Sequence, residues 1–158
     1  MTTSVDTIRL LLHEVPHGQE LTDAQRTGTQ CVWCEAPYGA GFIDLGGISR
    51  RFRPQACTEC HTLHSAALQS YFEWVDHVAG CVLCTDKRPC PTTDRMREGH
   101  ARARQDCGSQ DVRCFDCAAP VDLQHPALPV LWLGEAAAAH LLYSHAGQCP
   151  VTEATPHG

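Results

Sequence analysis

The sequence predicts a small α+β protein whose short helices and strands are stapled by side-chain chemistry rather than by a large apolar core. Three observations point that way. Eleven of the 158 residues are Cys while Phe, Trp and Tyr together number only ten, so the 43% hydrophobic content overstates what the interior can bury. Most of the cysteines fall in C-x-x-C pairs, at 31/34, 57/60, 81/84 and 114/117. Helix-period and strand-period stretches alternate in runs too short to stand alone.

In chain order, residues 5–15, "VDTIRLLLHEV", read as a short amphipathic helix closed by Pro16 and Gly18. "LTDAQRTG" offers Thr22 as an N-cap, Gln25 as its capping-box partner and Gly28 as a stop. After the first Cys pair, residues 42–45 and 48–52 read as a β-hairpin turning at Gly46-Gly47. Leu63, Ala67, Tyr71, Trp74 and Val78 then fall on one helical stripe that stops at Gly80. Residues 81–91 read as a Cys-rich loop, and 92–105 as a polar helix interrupted by Gly99. Residues 121–123 and 130–133 are strand candidates, 134–147 ("GEAAAAHLLYSHAG") a final helix, and the chain from Pro150 a frayed tail. This divides the chain into an N-terminal helical segment (1–28), a first metal-binding unit (29–106), a C-terminal metal-binding unit (107–150) and a flexible tail (151–158).

The first twenty residues lack a basic n-region and a long apolar run, so no signal peptide is expected. No segment approaches the roughly 18 apolar residues of a membrane span. A cytoplasmic chain keeps its thiols reduced, and eleven is an odd count for a disulfide framework, so the cysteines point to metal. Arg outnumbers Lys eleven to one and Ala is abundant, the bias of a GC-rich bacterial or phage genome. The net charge of −6 argues against a protein that coats nucleic acid. Residues 50–104 run against that balance, with nine Lys/Arg against six acids. Arg50, Arg51, Arg53, Arg95, Arg97, Arg102 and Arg104 are the candidate phosphate contacts there.

A C-x-x-C turn aims two sulfurs at one point, and two such pairs make a tetrahedral Zn²⁺ site. Cys31 and Cys34 with Cys57 and Cys60 form the strongest such set. His77, Cys81, Cys84 and Cys90 supply a second within fourteen residues, with Cys107 competing for the place of His77. Cys114 and Cys117 with His145 and Cys149 form a third, with His140 a rival for His145. "HVAGC" (77–81) and "HAGQC" (145–149) share a His, a Gly and a Cys four residues on, as ends of two expected helices. His61, His64 and His100 are left as surface groups or partners of ligands, and Cys107 as a buried thiol or substitute ligand.

The order of knuckle, hairpin and a Cys pair opening a helix resembles the treble-clef zinc fingers over about residues 31–78. The resemblance implies ligands in the first turn of that helix, Cys57 and Cys60, and carries no activity with it. Iron–sulfur ligation is a rival use of clustered thiolates, but mixed Cys/His sets favour zinc. A zinc nucleobase deaminase is a minor enzymatic alternative, because "CTE" (57–59) followed by Cys81-x-x-Cys84 matches part of its signature; Glu59 would then shuttle protons. The expected whole is a non-enzymatic regulator with about three structural zinc ions, acting on a protein partner. Nucleic-acid binding through the Arg-rich middle is the alternative. Neither a membrane nor a small-molecule substrate is indicated.

Overall fold

The capping signal at Thr22 forms as its spacing predicts. Thr22 Oγ1 accepts the Gln25 N–H at 3.2 Å and Gln25 Oε1 accepts the Thr22 N–H at 2.9 Å, opening helix α1 (Asp23–Thr27). Gly28 ends it at φ 78°, where an added Cβ would lie 2.6 Å from the Arg53 carbonyl oxygen, so only glycine fits. The computed structural model describes residues 11–16, 20–47, 49, 51–109, 112–133, 139–147 and 149. Ahead of α1, the described part of the expected 5–15 helix shows Leu11 in α-helical conformation and a 3₁₀ turn at Leu12–Glu14; residues 5–10 lie outside the described residues, as does the tail from Pro150.

The hairpin forms with a different second strand. Strand β1 (Ile43–Asp44) pairs antiparallel with β2 (Gln55–Ala56), Ile43 opposite Ala56, rather than with residues 48–52. Between the two strands Ser49 and Phe52 bridge each other; Ile48 and Arg50 lie outside the described residues. Burial selects this register, since it places both Leu45 and Ala56 at 0% exposure.

Helix α2 (Thr58–Gly80), 23 residues, is the longest element among the described residues. Of its expected stripe, Ala67, Tyr71 and Trp74 are buried and Leu63 and Val78 half-buried. Leu68 joins Leu11, Leu21, Val32, Leu45 and Ala56 in one core cluster, while Tyr71 and Trp74 join Val112, Val121, Leu123 and Tyr143 in a second. A short helix α3 (Val82–Thr85) replaces the expected loop.

Helix α4 (Pro91–Asp106) runs through Gly99 without a break. Thr93, Arg97, His100, Ala101 and Arg104 are buried at helical spacing, so the helix is polar in composition yet packs a polar stripe inward. His100 is fully buried, with Nδ1 2.8 Å from Ser70 Oγ and Nε2 2.7 Å from Tyr143 Oη. Burial, reinforced by the nearby Arg104 cation, pushes its pKa from 6.5 down to about 4. A lowered histidine pKa means the neutral form is the one the fold holds. Its contribution is complete above the unfolded pKa and is lost as pH falls from about 6.5 toward 4. Between pH 7 and pH 5, denaturant titration of the wild type is therefore expected to lose about 2 kcal/mol more than that of His100→Gln. Ligand protonation is common to both proteins and cancels, so equal losses would exclude the buried neutral imidazole.

The last segment departs most from expectation. Strand β3 (Ala127–Leu133) pairs antiparallel with β4 (Ala139–His145) over seven residue pairs, where a helix over 134–147 was expected. Residues 134–138, with most of the alanine run that suggested the helix, lie outside the described residues. Long-range pairing overrides the helix propensity of that run and turns Tyr143 into the core at 2% exposure. Residues 121–123 form no strand; Val121 donates its N–H to the Val112 carbonyl at 2.7 Å. Tyr71 Oη reaches into the β3–β4 ladder, 2.8 Å from the Val130 and Leu142 carbonyl oxygens, and accepts the Leu142 N–H at 3.0 Å. Among the described residues no helix is long and apolar enough to cross a membrane.

Candidate metal centres

Three groups of four Cys or His residues converge, with the ligand atoms of each within 4.8 Å of one another. They are Cys31, Cys34, Cys57 and Cys60; His77, Cys81, Cys84 and Cys90; and Cys114, Cys117, His145 and Cys149. All eleven cysteines are free thiols. Four sulfurs about 2.3 Å from one tetrahedral ion lie about 3.8 Å apart, whereas a disulfide needs about 2.05 Å. The sulfur pairs Cys34–Cys57, Cys81–Cys90 and Cys114–Cys149 are 3.7, 3.9 and 3.7 Å apart. His77 Nε2 lies 3.3 Å from Cys90 Sγ, and His145 Nδ1 3.8 Å from Cys117 Sγ, bracketing the roughly 3.6 Å of a nitrogen and a sulfur on one zinc. These donor sets fit about three structural zinc ions. Each set already holds four protein ligands, and the spacing is that of donors to a single ion.

The first centre joins the knuckle after α1 to the start of α2. Cys57 is the N-cap of α2, its sulfur accepting the Cys60 N–H at 3.5 Å, while the Cys57 N–H donates to Cys31 Sγ at 3.3 Å. Burial raises the Cys31 pKa, but the backbone N–H groups of Cys57, Cys34 and Trp33 outweigh it and bring it to about 7. Burial and the neighbouring thiols push Cys60 up instead. Four thiols this close cannot all ionise without a cation.

The second centre spans the end of α2, α3 and the start of α4. His77 sits in the last turn of α2, Cys81 follows that helix, and buried Cys90 precedes α4. The Thr93 N–H and then the His77 ring bring the Cys90 pKa down to about 6. Thr93 Oγ1 lies 2.9 Å from Cys84 Sγ, orienting that ligand from the next helix. Cys107, the rival of His77, is not in this group.

The third centre takes His145 from the end of a strand rather than from a helix. Its knuckle repeats the first almost atom for atom. Cys31 and Cys114 donate their N–H groups to Ala36 and Ala119 at 2.7 and 2.8 Å; Val32 and Phe115 donate to Gln55 and Tyr143 at 2.9 and 2.8 Å. Glu35 and Ala118 each turn left-handed, at φ 60° and 57°. Cys57 and His145 each come two residues after the strand residue that the knuckle bonds. The signal was present in the sequence as "CVWCEAP" and "CFDCAAP", and the unlike stretches after the two knuckles hid it. Left-handed backbone disfavours a side chain, so Ala118→Gly is expected to raise the urea midpoint of the zinc-loaded protein, a gain in unfolding free energy of about 0.5–1 kcal/mol. A lowered midpoint would exclude a strained residue there.

The other singled-out residues fall into place around these centres. His64 is 2% exposed, stacked on Trp33 at 3.8 Å between ring centroids, and burial holds its pKa at about 4. Cys57 belongs to one centre and Cys81 and Cys84 to another, so the ligand set of a deaminase is not assembled, and Glu59 is an exposed helix residue. His140 lies in β4, opposite Trp132. Of the candidate phosphate contacts, Arg51, Arg53, Arg95 and Arg102 are exposed and Arg50 lies outside the described residues. Arg97 and Arg104 are a correction to that set. Arg97 donates to the Leu123 carbonyl at 2.6 Å, and Arg104 pairs with Glu14 at 2.7 Å, both inside the fold. No family model, curated protein or solved structure matches the chain.

Proposed function

We propose that the chain is a non-enzymatic, zinc-stapled adaptor or regulator that acts in the cytoplasm by binding another protein. The observation that carries this reading is that each centre already has four protein ligands. A filled tetrahedral ion has no open position for water or substrate, so it shapes a surface rather than performing chemistry. Over about residues 31–78 the reading extends to a treble-clef type finger, supported by the knuckle at Cys31–Cys34, the β1–β2 hairpin, and Cys57 and Cys60 at the start of α2. The net charge of −6 favours a partner with a basic surface.

Native mass spectrometry of the full chain is expected to show about three zinc ions, matching the three ligand sets. Cross-linking of the zinc-loaded protein, followed by reconstitution with the purified partner, should give a complex that zinc removal abolishes. Binding to duplex or single-stranded nucleic acid that falls steeply with added salt would instead establish the phosphate-contacting role of Arg51, Arg53, Arg95 and Arg102. A metal count of one or none would overturn the reading at its base.

A further inference from the structure

Ten of the eleven thiols belong to the three centres, and Cys107 does not. It caps the C-terminal end of α4, where its Sγ–H donates to the Arg104 carbonyl at 3.4 Å. Gly108 follows at φ 73°, and no described residue lies within 4 Å of where a Cβ would stand. Cys107 lines a pocket of about 370 Å³ together with two ligands of the first centre, Cys34 and Cys60. Cys34 is exposed. His64, 2% exposed, lines the same pocket, and its Nδ1 has no hydrogen-bond partner among the described residues. Neither other centre has a spare thiol, because every remaining cysteine is one of the ligands.

We propose that Cys107 is an oxidant-modified site whose sulfenic acid resolves onto a metal-bound thiolate of the same pocket, Cys34 or Cys60, and thereby releases the first zinc ion. The inference rests on the zinc reading of that centre. In the first step Cys107 Sγ attacks one oxygen of a hydroperoxide, the O–O bond breaks, and the thiol proton leaves with the other oxygen as water or an alcohol. In the second, the thiolate of Cys34 or Cys60 attacks the Cys107 sulfur, the S–O bond breaks, and hydroxide departs as the disulfide forms. Two thiols are oxidised and one peroxide is reduced, a balanced two-electron exchange. The ion is left with three thiolates in place of four, and a chelator or water can take it.

The test uses the full-length, zinc-loaded protein, hydrogen peroxide and a chromogenic zinc chelator, with peptide mapping of the disulfides. Wild type is expected to release one zinc ahead of the others, to show Cys107 linked to Cys34 or Cys60, and to recover on adding a thiol reductant. Cys107→Ser and Cys107→Ala should each slow that first release by about tenfold or more, since the metal-bound thiolates left behind react less readily. Cys107 is half-buried and outside the metal centres, so at least one of these variants should fold; circular dichroism checks it. Equal release from wild type and variants, a disulfide elsewhere, or first loss of zinc from another centre would overturn the proposal. Untreated protein with no zinc at Cys31, Cys34, Cys57 and Cys60 would overturn the metal reading itself, and the inference with it.

Discussion

Excess chelator is expected to remove the helical circular dichroism of the full-length protein and its near-ultraviolet signal together, both returning with about three equivalents of zinc. The reason lies in what the centres join. The first ties residues 31–34 to 57–60, and the third ties 114–117 to 145–149, each closing a long stretch of chain. The two apolar clusters they bracket are small, and structural zinc contributes on the order of 10 kcal/mol per site against a typical net stability of about 5–15 kcal/mol. Cys31→Ser should reproduce the loss without chelator, because Cys31 is fully buried and its sulfur also accepts the Cys57 N–H at the mouth of α2. Helical signal that survives complete metal removal would show that packing alone holds α2 in place.

Arg104→Met is the next largest expected effect, a loss of about 3–5 kcal/mol measured by urea denaturation of the zinc-loaded protein. Arg104 and Glu14 have side chains only 9% and 11% exposed, and the Arg104 Nε–H also donates to the Ser109 carbonyl at 2.8 Å. Removing the cation leaves the Glu14 carboxylate buried and unpaired, which costs far more than the net worth of the pair. Glu14→Gln combined with Arg104→Met should therefore recover part of the loss. A double variant less stable than Arg104→Met alone would place the energy in the arginine's packing instead.

The metal-binding geometry was more legible than the fold around it. A C-x-x-C turn fixes two ligands by local backbone geometry, so Cys81, Cys84 and Cys90 could be grouped by spacing, while the choice of His77 over Cys107 for the fourth place needed the fold. Thr22, Gln25 and Gly28 were legible for the same reason, as interactions closed within a few residues. Elements decided by distant partners were not. The pairing of β4 with β3 sets Tyr143 into the core, and no local property of the alanine run announces it. Arg97 and Arg104 of α4 read as candidate phosphate contacts because composition alone does not say that Arg97 finds the Leu123 carbonyl and Arg104 finds Glu14. Gly99 suggested a break, yet helical packing against α2 carries the chain through it.

Helix α2 bears ligands at both of its ends, Cys57 and Cys60 at the start and His77 at the finish. An ordinary helix loses its terminal turns to fraying, so its effective length fluctuates. An ion held by the ligand set at each terminus would clamp it, and a rise of about 1.5 Å per residue places the two sets about 30 Å apart. The helix thereby acts as a ruler of fixed length, and whatever surfaces the two centres present are offered at one separation. A partner gripping both would gain the second contact without the entropy of bringing the two together.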